Sequence, residues 1–441
     1  MKNVLIIAYY FPPSGGPGVQ RVLKYVKYLP IFNWNPIVLT VENGKFPAKD
    51  ETLLKQIPIE TTVYRSHIFE PYDLYKFFTG KKKNTAIDVN VIKKEEQKLD
   101  IREKIAEFIR ATFFIPDARA FWIYSAKKTI NKILEQHNID MIYSSSPPYT
   151  CSIIARNLKR SKTVPWVAGF RDPWTDFIST PKRWFIPKAI DKAMEFSVFN
   201  EADAVEVAWE GITKDALQKY PNLDAQKFYH IPNGFDSEDY PNIKYQKNEK
   251  FTITYTGSMY GRRNPASFLI ALKNLIESQQ IKHELIKIQF IGRFGSEVED
   301  MFSAFPYKEC IEIIPYLPHH KSIEYLIRSD TLLLIVDESK ESEEIVPGKV
   351  YEYLGTKKPI IALAPKGSAI DKLMQECGSG YVAHQSEISK IEQIIKTLFI
   401  YWKNNFEGFN PNLPNIYKYE RKNSTMELTK LFNSIITNKN I

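Results

Sequence analysis

The sequence predicts an alternating α/β protein made of two doubly wound parallel sheets in tandem. Three observations predict it. Short apolar runs recur with helical segments between them at 3–11, 35–41, 61–66, 140–146, 165–170 and 203–208, and a second series follows at 251–257, 286–292, 310–315, 331–336 and 359–364. Most of these runs are continuously apolar rather than alternating, as in strands covered on both faces. Between the two series lies HIPNGFDSEDYPNIKYQKNEK, whose proline, asparagine and charge mark an interdomain connector. Each half then reads as a Rossmann-like domain, the two facing each other across a cleft, with ligands at the C-terminal ends of the strands. The expected divisions are 1–232, 233–415 and a closing helix, 416–441, that packs back on the first domain; Ser424 is its N-cap candidate.

The first run leads into FPPSGGPGVQR (11–21), a glycine-rich loop that opens a helix. Gly15, Gly16 and Gly18 let backbone approach a ligand closely, so a phosphate or sugar fits there, although a tight turn explains the same residues. The glycine spacing and the two preceding prolines exclude a dinucleotide fingerprint. The run itself is too short to span a bilayer, has only Lys2 before it and lacks a small-residue cleavage site, so it reads as a strand rather than a signal peptide.

Residues of about 80–120 interrupt the first domain with GKKKN and mixed charge, followed by IREKIAEFIRATFFI (101–115). With basic residues on one side and Ile105, Phe108, Ile109 and Phe113 on the other, this helix fits an anionic membrane surface or, equally, a core with its polar face in solvent. The fifth run ends in GFRDPWTDF (169–177), which puts Arg171, Asp172 and Trp174 just beyond a strand end. Asp172 could orient an acceptor hydroxyl or stabilise positive charge on a sugar, with Trp174 as an apolar wall. An Asp-Pro turn with an Arg171–Asp172 ion pair is the structural alternative.

The second domain opens with YTGSMYGRRNPASFLIAL (255–272), where Gly257, Ser258 and Gly261 precede Arg262 and Arg263 at a helix start. Two arginines there suit bidentate contact with a diphosphate, or form an exposed basic turn. In EEIVPGKVYEYLGTKKPIIAL (343–363), Pro347 and Gly348 start a helix, with Glu344 before it and Glu352 one turn in. Val350, Tyr353 and Leu354 are expected to face the core, Lys349 and Glu352 to face outward, and Gly355 to end the helix. Free N–H groups and Lys349 make an anion site, and Glu352 can accept two hydroxyl hydrogen bonds from a ribose, so phosphate plus diol points to a nucleotide. Solvated charges on an ordinary amphipathic helix are the alternative.

Composition bounds the rest. The 441 residues, 44% hydrophobic and 25% charged, suit a globular chain of two domains. Cys151, Cys310 and Cys377 lie far apart without metal-ligand spacing and read as reduced core residues of a cytoplasmic protein. Asp236, Glu238 and Asp239 cluster in the connector, where they read as solvated, so no metal site is expected. No run approaches the length of a membrane span, and the net charge of +9 fits an anionic substrate, an acidic membrane or nucleic acid.

In their order and spacing, the PPSGGPG loop, FRDPW, the IPNGFD connector, TGSMYGRRNP and the two glutamates around PGK followed by EYLGTKKPII resemble glycosyltransferase family 4 over nearly the whole chain. These are retaining nucleotide-sugar enzymes of the two-domain GT-B fold. The resemblance implies an acceptor-binding first domain and a donor-binding second domain. Gly15, Gly16 and Gly348 would lie at the donor, with Arg262, Arg263 and Lys349 toward its diphosphate and Glu352 on its ribose. Glu344 would lie near the transferred sugar and Asp172 at the reacting centre. Two departures keep alternatives open: Ile345 and Val346 follow the first glutamate, where Glu343 competes with Glu344, and Arg171 competes with Asp172 for its place.

The implied reaction is metal-independent transfer from a nucleotide diphosphate sugar, with no further cofactor, to a saccharide or lipid-linked acceptor of an envelope polysaccharide or glycolipid. An anionic membrane surface is a further expected partner, nucleic acid is not, and the expected location is the cytoplasm or the inner membrane face. A sugar-nucleotide epimerase of the same fold and a noncatalytic saccharide-binding module remain the alternatives.

Overall fold

The computed structural model describes residues 1–441 except 47, 71–100, 178–179, 244–245, 338–342 and 440–441. The chain divides into two compact units, Met1–Pro232 with Lys422–Ile441, and Asn233–Arg421.

The first unit holds a seven-stranded sheet in the order β3-β2-β1-β4-β5-β6-β7. Its strands are β1 (Lys2–Ala8), β2 (Trp34–Val41), β3 (Thr62–Ser66), β4 (Met141–Ser146), β5 (Trp166–Phe170), β6 (Ala204–Val207) and β7 (Phe228–His230), and every pairing is parallel. The strand order reverses between β1 and β4, which opens the crevice where doubly wound sheets take ligands. The helices are α1 (Pro17–Tyr28), α2 (Ile101–Phe113), α3 (Trp122–Gln136), α4 (Thr150–Ser161), α5 (Phe185–Glu201) and α6 (Glu210–Lys219).

The second unit repeats the pattern with six parallel strands, β10-β9-β8-β11-β12-β13. They are β8 (Phe251–Thr256), β9 (Ile286–Gly292), β10 (Ile311–Pro315), β11 (Thr331–Ile335), β12 (Ile360–Leu363) and β13 (Gly380–Ala383). Around them lie α7 (Ala266–Glu277), α8 (Ser296–Ala304), α9 (His319–Arg328), α10 (Gly348–Thr356), α11 (Ala369–Cys377) and α12 (Ile388–Lys403), followed by the short α13 (Leu413–Tyr417). One face of the sheet packs on Phe268, Leu272 and Ile395 of α7 and α12, and the other on Ile323, Tyr353 and Leu373 of α9, α10 and α11. Burial on both faces is why the strand sequences do not alternate.

The last helix, α14 (Arg421–Lys439), returns to the first unit. Leu428, Leu431 and Phe432 enter the core beside β1 and α1, and the Phe432 ring meets Trp34 edge-on at 5.1 Å. The expected closing helix is therefore present, and it begins as the chain leaves the second unit. The connector motif is also accounted for: the Phe235 N–H donates to the Tyr419 carbonyl at 3.0 Å and Arg421 N–H to the Phe235 carbonyl at 2.7 Å. A Cβ on Gly234 would lie 2.1 Å from the Tyr419 carbonyl oxygen, so that crossing admits only glycine. Asp236, expected in solvent, is buried and caps a short turn by accepting the Glu238 N–H at 3.0 Å.

No helix among the described residues is long and apolar enough to cross a membrane. The GKKKN segment lies outside the described residues.

Candidate active site

In the second unit the candidate residues gather at the C-terminal end of β8, beside the reversal between β8 and β11. The backbone there is built for close approach. Gly257 (φ +110°) follows β8 and Gly292 (φ +151°) ends β9, and a Cβ on Gly292 would stand 2.1 Å from the Gly257 carbonyl oxygen. The following turn carries the two arginines, and Asn264 ends it by accepting the Ala266 N–H at 3.1 Å as α7 begins.

The arginines differ in surroundings. Arg262 is 67% exposed, with Nε 3.4 Å from the Asp337 carboxylate just beyond β11. Arg263 is half-buried, and its buried Nε has no hydrogen-bond partner among the described residues. Its charge is close enough to act on both Tyr255 and Lys349.

Lys349 is not on the outward face. Its Nζ donates to the Tyr255 hydroxyl at 2.8 Å and to the Thr256 carbonyl at 2.7 Å, and it sits over the Tyr255 ring at 4.0 Å. Tyr353, one helical turn on, accepts the Thr256 N–H at 2.9 Å, so α10 takes both backbone groups of the last β8 residue. Positions four apart share a helix face, which is why Lys349 follows Tyr353 inward. Burial first, then the Arg263 charge, holds the Lys349 ammonium well below the ordinary lysine range, against the opposing effect of Glu352.

Glu352 is three-quarters buried, and its Oε1 lies 3.0 Å from His319 Nε2 at the first residue of α9. Sequence reasoning missed His319; the available signal was a histidine opening a helix directly after a strand end. Gly355 does not end α10, which runs to Thr356 and closes at Lys357 in the left-handed region (φ 61°). A Cβ at Gly355 would instead strike the Tyr240 hydroxyl at 2.2 Å, and that hydroxyl donates to the Glu352 carbonyl at 2.7 Å. Gly348 opens α10 with Pro347 at its cap, which offers no side-chain cap hydrogen bond. Glu344 is exposed in the turn before that helix.

In the first unit, Gly15 and Gly16 lie between β1 and α1, near the β1/β4 reversal. Gly15 N–H donates to the Ala48 carbonyl at 2.9 Å, and Gly16 has φ +90° with open space where a Cβ would stand. Gly18 is the packed glycine of the loop, since a Cβ there would lie 2.7 Å from the Arg171 guanidinium.

Arg171 and Asp172 are neighbours with separate engagements. The Arg171 guanidinium donates to the Gly18 and Pro147 carbonyls and stacks over Tyr10, which clamps the glycine loop to the end of β4. The Arg171–Asp172 ion pair is not formed, and among the described residues no hydrogen bond reaches the half-buried Asp172 carboxylate. Burial raises its pKa above the ordinary aspartate value, with the Arg171 charge opposing. Trp174 forms no wall facing solvent: it is fully buried, stacks on Tyr149 at 4.6 Å and donates its Nε1–H to Asp191 at 2.9 Å.

The sheet architecture defines the fold class: two Rossmann-like units of the GT-B fold. Within that class, residues 86–239 match the family model described as Glycosyltransferase Family 4, the family whose motifs the chain resembles. No curated protein matches the chain. Among solved structures it is similar to a glycosyltransferase from Rickettsia africae (15% identity, TM-score 0.60, 99% of each chain covered). It is also similar to Anabaena HepE in complex with UDP and glucose (12%, 0.61, 98% of this chain and 100% of that one). A third similar structure is S. aureus TarM, a variant in complex with fondaparinux, alpha-GlcNAc-glycerol and UDP (11%, 0.59, 98% and 100%). At these identities the likeness establishes the fold.

Proposed function

We propose that this protein transfers a sugar from a nucleotide diphosphate donor to a saccharide or lipid-linked acceptor in envelope polysaccharide or glycolipid synthesis, with retention and without a metal ion. The observation that carries the reading is the convergence of Lys349 and Arg263 at the end of β8 with Glu352 one turn along α10. Two cations of which one guanidinium nitrogen is buried and unpaired suit a diphosphate, and a carboxylate held by a histidine suits a ribose diol. The similar HepE and TarM structures, both complexes with UDP, support a nucleotide donor.

In this reading Arg263 and Lys349 stabilise the departing diphosphate as the anomeric C–O bond breaks, with Arg262 and the N–H groups at Gly348 alongside. Gly15 and Gly16 leave backbone open to the donor, and Glu344 lies at the transferred sugar. Asp172, which no hydrogen bond reaches among the described residues, accepts a hydrogen bond from the acceptor hydroxyl and orients it; as the new C–O bond forms and the donor C–O bond breaks, the hydroxyl proton passes to the departing diphosphate oxygen. Arg171, committed to carbonyl oxygens, positions the loop instead.

The test is thermal stabilisation by a panel of nucleoside diphosphates and nucleotide sugars, comparing the natural chain with Lys349→Ala and Glu352→Ala. The reading expects one nucleotide to raise Tm and both variants to lose that shift. A shift that survives in both would overturn the donor assignment. Retention is checked by the anomeric proton of the product, and inversion would contradict it.

A further inference from the structure

We infer that the first unit docks on an anionic lipid bilayer through the exposed apolar face shared by α2 and the start of α5. The inference deepens the reading of a lipid-linked acceptor. Along α2, Ile105 and Phe108 are 51% and 57% exposed, and Phe113 at its end is 69% exposed. Where α2 ends, the Trp184 Nε1–H donates to Thr112 Oγ1 at 2.9 Å, and Phe185, 77% exposed, follows at the start of α5. Ile105, Phe108 and Thr112 share one helix face, so the apolar row runs along α2 and continues into Trp184 and Phe185.

This exposure is built rather than loose. Arg183 is nearly fully buried; it donates to the carbonyls of Ala111 (2.7 Å), Phe114 and Pro116 (both 2.9 Å) and pairs with Asp191 at 2.7 Å. A buried guanidinium thus fixes the end of α2 against α5 while the aromatic rings point to solvent. An apolar row of this kind facing water marks an interaction surface.

Charge selects the occupant. The first unit holds 37 Lys and Arg against 26 Asp and Glu, a net of +11, whereas the second holds 23 against 25, a net of −2. The whole basic excess therefore belongs to the unit with the apolar face. Lys104 and Lys182 flank that face and are exposed, and Lys188 and Lys192 lie on α5, both paired with Asp176. Aromatic and aliphatic side chains within a basic fringe suit insertion at the headgroup boundary, with lysines meeting anionic lipid.

The experiment is co-sedimentation of the full chain with phosphatidylcholine vesicles, with and without phosphatidylglycerol. The expected result is binding to the anionic vesicles only, weakened at least about tenfold in a Phe113→Ser/Phe185→Ser double variant because two exposed rings no longer insert. Lys104→Glu/Lys182→Glu should weaken it as well. Ile59→Ser, which removes an apolar side chain 94% exposed elsewhere on the unit, should leave binding unchanged. Equal binding to neutral vesicles, or unchanged binding by the double variant, would overturn the inference. So would a self-associating chain that the double variant renders monomeric, since a second copy would then be the occupant. The nucleotide-induced Tm shift of the double variant separates this outcome from failure of the donor assignment, because none of these residues belongs to the second unit.

Discussion

His319 Nε2 lies 3.0 Å from Glu352 Oε1, joining the first residue of one helix to the middle of the next. The pair fixes one carboxylate oxygen, while the Tyr240 hydroxyl holds the Glu352 carbonyl from the other side of α10. A carboxylate that must accept two ribose hydroxyls gains from such restraint, since the ordering cost is met before the ligand arrives.

His319→Ala should therefore weaken nucleotide binding by about 1.5–3 kcal/mol, roughly 10- to 150-fold, the contribution of one hydrogen bond to a charged group. Calorimetric titration of the nucleotide that gives the largest Tm shift measures it. If the histidine acts only through the ribose contact, a 2′-deoxy analogue should show a smaller difference between variant and natural chain.

Asp172 is a test of function against stability. Its folded pKa is raised by burial, so between the ordinary value of 3.8 and that raised value the folded chain holds the proton more tightly than the unfolded one. Stability from this group falls as pH rises through that window, and the full cost is present above it. Asp172→Asn should then raise Tm at neutral pH, by about 2–4 °C for each kcal/mol relieved, while abolishing transfer. In the natural chain the acid limb of the proposed transfer should lie above pH 3.8. A variant that keeps its activity would remove Asp172 from the reacting centre.

Beneath the glycine loop, Glu206 in the middle of β6 is fully buried and meets Arg21 together with the hydroxyls of Tyr25 and Tyr143, both at 2.7 Å. Arg21 also donates to the Ile231 and Pro232 carbonyls, where the chain leaves the first unit. Glu206→Gln leaves a buried guanidinium without its counter-charge and should cost about 3–5 kcal/mol, measurable by urea unfolding. Arg21→Met/Glu206→Leu should cost less, because no lone charge remains.

That network shows where the sequence was legible and where it was not. Eleven of the thirteen strands among the described residues stand out in the sequence, most of them as apolar runs because both faces of a parallel sheet are buried. The two missed are edge strands: β7 has three residues, and β13 is mostly half-buried, so neither makes a continuous run. Glu206 passed unread inside one such run, since its partner Arg21 is 185 positions away. Arg263 and Lys349 were readable from local glycine and helix-start signals, but the inward turn of Lys349 depends on Tyr353 and Thr256 together. His319 and the carbonyl contacts of Arg171 are likewise tertiary facts.

Lys349 supplies the remaining prediction. Its folded pKa is depressed well below 10.5, so in the window beneath that value the unfolded chain carries more protons and stability rises with pH. An anion beside Lys349 and Arg263 reverses the like-charge effect that helped depress it, which favours the ammonium and draws a proton from solution. Diphosphate binding should therefore be linked to proton uptake at pH values below 10.5, and the observed binding enthalpy should change with the ionisation enthalpy of the buffer. In Lys349→Met that dependence should vanish together with most of the affinity, while the free protein becomes more stable because a buried cation has gone. Retained proton uptake in the variant would assign it to another group and leave Lys349 as a structural tie between α10 and β8.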